Sequence, residues 1–236
     1  MSGERSVFVT GGNRGIGLGI AQRLAAAGHR VAVTHHSSPA PQGLFSVKCD
    51  VGDTTSVAEA AAAAAEENGA VEVLVAAAGI TRDGLLLRMP ETDWDDVIDT
   101  NLRGAWAAAR AVVPGMARAR FGRLLFVSSV VGMLGGPGQS NYAASKAGLI
   151  GLARSLAREY AGRGVTSNVI TPGLVDTDMA AELSEAQRGD ITERTPLKRA
   201  ATVDEVAAVA EFLVGDSSSY VTGAVVPVDG GLGMGH

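Results

Sequence analysis

Val7-Phe8-Val9-Thr10, followed at once by Gly11-Gly12-Asn13-Arg14-Gly15-Ile16-Gly17, puts a β-branched run, a glycine turn and a helix start in direct succession. Glycines at 11, 15 and 17 permit a tight turn and let backbone approach a pyrophosphate at the positive end of a helix. The spacing is T-G-x-x-x-G-x-G rather than G-x-G-x-x-G. A glycine cluster alone is also what an ordinary tight turn needs. Its place between a first strand and a first helix makes it a nucleotide-binding loop.

Outward from this loop, short apolar runs alternate with longer Ala-rich stretches. The pattern predicts strands over 7–10, 31–34, 44–49, 71–76, 124–128, 166–170 and 224–228. It predicts helices over 15–27, 55–68, 92–99, 102–119, 142–161 and 203–214. The strands are continuously apolar, as expected when both faces of a parallel sheet are covered. Strand–helix alternation of this kind implies an α/β fold, a doubly wound Rossmann-type parallel sheet of about seven strands with helices on both faces. No repeat or linker divides the chain, so one domain is expected over 1–236. Within it, 175–199 lacks strand character and reads as a lid over the site or as ordinary surface helix.

Composition narrows the function classes. Of 236 residues, 46% are hydrophobic and 19% charged, which fits a packed globular chain rather than a disordered one. Basic residues number 20 against 25 acidic, a net charge of −5, and no basic stripe of a nucleic-acid binder is present. Cys49 is the only cysteine, which excludes a disulfide framework and a cysteine-rich zinc site; no metal is expected. No apolar run approaches 18 residues and the first residues lack a signal-peptide shape, so a cytoplasmic protein without membrane attachment is expected.

The residues also speak to the cofactor. NAD-preferring folds place Asp or Glu about 20 residues beyond the loop to hold the ribose 2′-hydroxyl. Here Thr34 is followed by His35, His36 and Ser37, and Arg14 sits inside the loop, where a guanidinium suits a 2′-phosphate. Arg14 reads equally as a solvated loop residue. The reading favours NADPH/NADP+. Asp50, in Cys49-Asp50-Val51 at the end of the third strand, reads as an acceptor for the adenine amino group or as a cap for the next turn.

Tyr142 and Lys146 lie four residues apart on one predicted helix and share a face. A nearby ammonium favours phenolate and lowers a tyrosine pKa from about 10, which suits proton transfer near neutral pH. Ser129 follows the fifth strand at the carboxyl edge, where open α/β sheets bind ligands. Asn101 stands at the start of the long helix before that strand. Singly, these residues also read as a strand-end cap (Ser129), a helix N-cap (Asn101) and a solvated helix residue (Lys146).

Together, the loop 10–17, Asn101, Ser129 and Tyr142-Ala143-Ala144-Ser145-Lys146 resemble the short-chain dehydrogenase/reductase family. The Pro172-Gly173 turn and Asp229-Gly230-Gly231 extend the likeness over nearly the full chain. Within the family it resembles bacterial 3-oxoacyl-[acyl-carrier-protein] reductases, through Gly79-Ile80-Thr81-Arg82-Asp83, Leu87-Arg88-Met89 and Asp176-Thr177-Asp178-Met179. The resemblance implies NADPH-dependent reduction of 3-oxoacyl thioesters, carried by acyl carrier protein or CoA, in fatty-acid biosynthesis. Another ketone, from polyketide assembly or a small secondary alcohol, is the alternative.

It implies roles as well. Tyr142 would protonate the alkoxide, Ser129 would polarise the carbonyl, and Lys146 would bind the nicotinamide ribose and lower the Tyr142 pKa. Asn101 would hold a water that returns the proton. Gly11, Asn13, Arg14, Gly15, Ile16 and Gly17, then His36, Asp50, Val51, Ala78 and Gly79, would contact the cofactor. Pro172 and Gly173 would form the turn before Val175 and Thr177, which would orient the carboxamide. Met179, Leu183 and Ile191 would line an acyl channel under the lid. Arg120 and Arg163 stand where relatives place carrier-docking arginines, or are solvated charges. The helices over 102–119 and 142–161 would pair between subunits of a homotetramer. Three departures stand out: Ala76-Ala77 where the family usually has Asn-Asn, His36 where NADP-preferring relatives often carry Arg, and a glycine-rich, mobile Gly135-Gly136-Pro137-Gly138.

Overall fold

The structure is a computed structural model and describes residues 3–37, 40–181 and 183–234; of Met179 it describes the backbone alone. Seven strands form one sheet: β1 (Ser6–Thr10), β2 (Arg30–His35), β3 (Phe45–Lys48), β4 (Val73–Ala76), β5 (Gly122–Val127), β6 (Val165–Pro172) and β7 (Val225–Val228). Their order is β3-β2-β1-β4-β5-β6-β7 and every pairing is parallel. All strands therefore end at one edge, and the order reverses between β1 and β4, which opens a crevice there.

Alternation along each strand feeds two cores. Phe8, Leu74, Leu124 and Phe126 belong to one apolar cluster, whereas Val7, Val9, Val73, Val75, Leu125 and Val127 belong to the other. The first is covered by α2 (Thr54–Asn68), α4 (Gly104–Ala119) and α6 (Ser140–Tyr160). The second is covered by α1 (Gly15–Ala26) and α9 (Val203–Val214). Small residues set these approaches: a Cβ on Gly19 of α1 would lie 2.1 Å from a Val203 methyl at the start of α9.

The expected doubly wound parallel sheet of seven strands is thus observed, with ends displaced by one or two residues. Two features differ from expectation. Asn101 does not start a helix: α3 (Glu91–Ile98) runs through a π-helical turn (Asp99–Arg103) straight into α4. A one-turn helix, α5 (Val131–Leu134), precedes α6. The 175–199 segment folds as α7 (Asp178–Ala181) and α8 (Glu185–Arg194), the latter started by a Ser184/Gln187 capping box. At the end of the glycine-rich turn at 135–138 the Gly138 carbonyl accepts the Gly84 N–H at 2.8 Å.

Candidate active site

A cleft of about 760 Å³ occupies the carboxyl edge of the sheet at the β1/β4 crevice. Its floor is the β1–α1 loop. Gly11, at φ +67°, leaves room for Ala78, whose Cα would lie 2.6 Å from a Cβ there; a Cβ on Gly17 would lie 2.2 Å from the Gly11 carbonyl oxygen. Thr34 Oγ1 accepts the Gly11 N–H at 3.0 Å and ties the end of β2 to the loop. α1 begins at Gly15 with no side-chain cap and no acidic residue in its first turn. Its first N–H groups and the positive end of its dipole are thereby left to an anionic ligand. These features fit a dinucleotide.

The cleft collects Gly11, Asn13, Arg14, Gly15, Ile16, Gly17, His36, Asp50, Val51, Ala78, Gly79, Tyr142, Lys146 and Thr177, as the sequence reading grouped them. At the ribose end, no carboxylate occupies the described positions directly after β2, and exposed Arg14 and His36 face the space. Asp50 Oδ1 accepts the Gly52 N–H at 2.9 Å, so it caps its own turn, while Oδ2 lies 3.9 Å from His36 Nε2.

At the other end, β5 and α6 bring the candidate chemistry together. Ser129 follows β5; its Oγ accepts the Val131 N–H at 3.2 Å, and it stands close enough to Tyr142 to draw that group's pKa down. Ser128 Oγ donates to the Lys146 carbonyl at 2.7 Å, and Lys146 Nζ donates to the Val127 carbonyl at 2.9 Å, so α6 is clamped to the strand end. Gly132 makes the clamp possible, since a Cβ there would lie 2.9 Å from the Lys146 carbonyl carbon. Asn101 is buried in the π-helical turn. Its Oδ1 accepts the Ile80 N–H at 2.8 Å, and its Nδ2 donates to the Ile80 carbonyl and to Ser145 Oγ, both at 3.0 Å. Gly79 separates Asn101 from Lys146: a Cβ on it would lie 3.2 Å from Lys146 Nζ and 3.3 Å from Asn101 Oδ1.

Burial dominates the electrostatics. It pushes the Lys146 ammonium down to about 8. It also raises Tyr142 above its ordinary value, opposed by Ser129 and aided by the Asp83 carboxylate. The expected depression of the Tyr142 pKa by Lys146 is not found. The ammonium is engaged with the Val127 carbonyl, 5.6 Å from the centre of the tyrosine ring, and desolvation of the phenol prevails.

Other expected residues lie outside the cleft lining. Pro172 ends β6, and Gly173 packs against Asp229, 2.9 Å from its Cα to a would-be Cβ. Val175 is buried in the core and bridges Ala201, while Thr177 reaches the cleft wall opposite Gly15. Leu183 and Ile191 are half-buried but do not line the cleft, and α8 has no buried residue. The side chain of Met179 lies outside the described residues. Arg120 and Arg163 are close together, Arg120 Nη2 donating to the Gly162 carbonyl at 3.1 Å. They precede β5 and β6, and so lie at the opposite edge of the sheet from the cleft. The cleft lining also includes Arg82, Asp96, Asp99 and Asp178, which the sequence does not single out for it. The Arg82-Asp83 pair just after β4 was their only local signal.

Comparison with known proteins agrees with this geometry. A family model described as enoyl-(acyl carrier protein) reductase matches residues 11–233. The chain is 54% identical over 233 residues to the 3-oxoacyl-[acyl-carrier-protein] reductase MabA of Mycobacterium tuberculosis, covering 99% of this chain and 94% of that one. It is 42% identical over 235 residues to the 3-oxoacyl-[acyl-carrier-protein] reductase FabG of Escherichia coli, covering 96% of each. FabG of Staphylococcus epidermidis, of the same description, is 41% identical over 98% of this chain and 100% of its own. A seven-stranded parallel sheet, a glycine loop at the β1/β4 crevice and a Ser–Tyr–Lys cluster, matched end to end by such relatives, identify the chain as a member of the short-chain dehydrogenase/reductase family.

Proposed function

We propose that this protein is an NADPH-dependent 3-oxoacyl-[acyl-carrier-protein] reductase of fatty-acid biosynthesis, acting as a single domain, in a cytoplasmic homotetramer, on thioesters carried by acyl carrier protein or CoA. The observation that carries the reading is Tyr142 and Lys146 together in the cleft whose floor is the glycine loop, with Ser129 next to Tyr142 at the end of β5. Among the described residues, no helix is long and apolar enough to cross a membrane.

The glycine loop and the start of α1 would hold the pyrophosphate, Arg14 and His36 the 2′-phosphate, and Lys146 the nicotinamide ribose. When bound, the nicotinamide supplies hydride to the carbonyl carbon. Ser129, whose oxygen already accepts the Val131 N–H, presents its proton to the carbonyl oxygen and polarises it. Tyr142 gives its proton to that oxygen as negative charge develops there, and the 3-hydroxyacyl thioester results. A phenol held protonated by burial is competent for this step, since reduction needs an acid at the outset. Lys146, poised near 8, would restore the proton, with Asn101 and Gly79 bounding its path.

A 3-ketone develops its negative charge on the oxygen of the very carbon that receives hydride, where Ser129 and Tyr142 would meet it. An enoyl thioester takes hydride at its β-carbon and holds the charge as an enolate on the more distant thioester oxygen. The test is NADPH consumption with an acetoacetyl thioester, run beside NADH and beside a crotonyl thioester. NADPH-selective ketone turnover supports the reading. Faster crotonyl reduction would replace it with the enoyl reductase named in the family description.

A further inference from the structure

Asn141 stands beside Tyr142 and has no part in the roles above. Its side chain is fully buried. Nδ2 donates to the Arg82 carbonyl at 2.9 Å and to the Asp93 carbonyl at 3.1 Å, while Oδ1 accepts the Tyr142 N–H at 2.7 Å. Both amide protons are thus committed, and the oxygen serves a first-turn N–H that has no partner within its own helix. One side chain joins the loop after β4, the first turn of α3 and the first turn of α6.

Neighbouring bonds repeat the join. Gly84 N–H meets the Gly138 carbonyl at 2.8 Å, Gln139 Nε2 donates to the Asp83 carboxylate at 3.0 Å, and Asn101 holds Ile80 while donating to Ser145. The loop is therefore stitched to α6 and to the residues leading into it. That same loop, from Ala77 through Ile80 to Arg82, is a wall of the cleft. A ligand seated on the wall presses on groups whose partners lie on the helix that carries Tyr142. Proton transfer needs the donor held at about 3 Å, and a 1 Å misplacement costs roughly 100-fold in rate.

Resting on the assignment of Tyr142 as the acid, we propose that Asn141 is a positioning residue. It registers the Tyr142 end of α6 against the 77–82 wall, so that seating of the nicotinamide and placement of the acid are one event.

Two variants test this. Asn141→Ala removes the clasp. Asn141→Asp keeps its shape and its acceptor, but an ionised carboxylate donates to neither carbonyl, whereas a protonated one donates to one of them. For Asn141→Ala, kcat on the ketone should fall about tenfold or more, with a larger solvent deuterium isotope effect. KM and NADP+ affinity should stay within about threefold. For Asn141→Asp, the deficit against the parent should widen as pH rises. Hydrogen–deuterium exchange reads the clasp without turnover. In the parent, NADP+ should slow exchange over both 77–89 and 137–146, and in Asn141→Ala over 77–89 alone. Equal protection of 137–146 in Asn141→Ala, or a lower Tm with unchanged kcat and isotope effect, overturns the proposal. If the parent protein reduces no ketone, the assigned function fails, and the exchange arms still decide the clasp.

Discussion

Lys146 is buried, carries a charge, and has a backbone carbonyl as its recorded partner. Its folded pKa of about 8 lies below the ordinary 10.5. Below pH 8 both folded and unfolded chains bind the proton, and the fold bears the full cost, on the order of 3 kcal/mol. Between 8 and 10.5 the folded chain has released the proton and the unfolded chain has not, so this contribution to stability rises with pH and the cost is gone above 10.5. Lys146→Met deletes the charge but leaves the Val127 carbonyl unpaired, a loss of about 1 kcal/mol. The variant should therefore be about 2 kcal/mol more stable than the parent at pH 7, an advantage that vanishes as pH passes 10. Denaturant melts across that range measure it; an advantage independent of pH would mean that the ammonium is not desolvated. Tyr142→Phe separates chemistry from binding at the neighbouring position. It should cost roughly 100-fold or more in kcat, because general acid catalysis contributes that much. NADPH affinity, read by nucleotide fluorescence, should hardly move. Near-parent turnover would place the acid elsewhere.

At the scale of elements, the glycine loop makes a sharper demand than any side chain in it. A methyl on Gly17 meets the Gly11 carbonyl oxygen at 2.2 Å, and neither backbone can yield without opening the turn. Gly189 in α8 is the control, a helical glycine whose added Cβ meets nothing within 4 Å. Gly17→Ala should abolish NADPH binding and lower stability by at least about 2 kcal/mol. Gly189→Ala should raise stability by about 0.5–1 kcal/mol. Thermal melts with and without NADPH check both, and a Gly17→Ala protein still stabilised by NADPH would refute the cradle.

The same contrast explains what could be read beforehand. β1, its loop and α1 were legible because each has a local cause: β-branched residues, glycines that admit no Cβ, and an apolar helix stripe. α8 was not, because it has no buried residue and so no apolar period to announce it. The π-helical turn hid because its sequence, Asp99-Thr100-Asn101-Leu102-Arg103, looks like a break between two helices. Tyr142, Lys146 and Ser129 were legible as a spacing. Asn141 has no local signal, since its partners Arg82 and Asp93 lie 59 and 48 residues away. The placement of Arg120 and Arg163 is legible too: a residue just before a parallel strand lies at the amino edge, away from the crevice.

That placement has a consequence at the scale of the whole molecule. An acidic carrier protein needs a basic surface, and the arginine pair stands at the amino edge of the sheet while the cleft opens at the carboxyl edge. In an assembly a neighbour can bring such a pair to the cleft. The surface suits assembly. The exposed face of α6 presents Ala144, Ala147, Gly151 and Ser155 at helical spacing, small enough for close backbone approach, and on α4 Trp106 stays 41% exposed beneath Arg110. A Cβ on Gly151 meets nothing within 4 Å, so a bulky side chain fits the isolated fold and obstructs only a partner. Sedimentation of the parent at micromolar concentration should give a mass near four times 24.0 kDa, and Gly151→Trp should give less. The variant should also lose more activity toward a carrier-bound thioester than toward a short free one, because only the former needs arginines from a neighbour. A monomeric parent would remove the tetramer. A tetrameric parent whose Gly151→Trp variant dissociates, yet keeps its preference for the carrier-bound substrate, would instead remove the arginine pair from carrier docking.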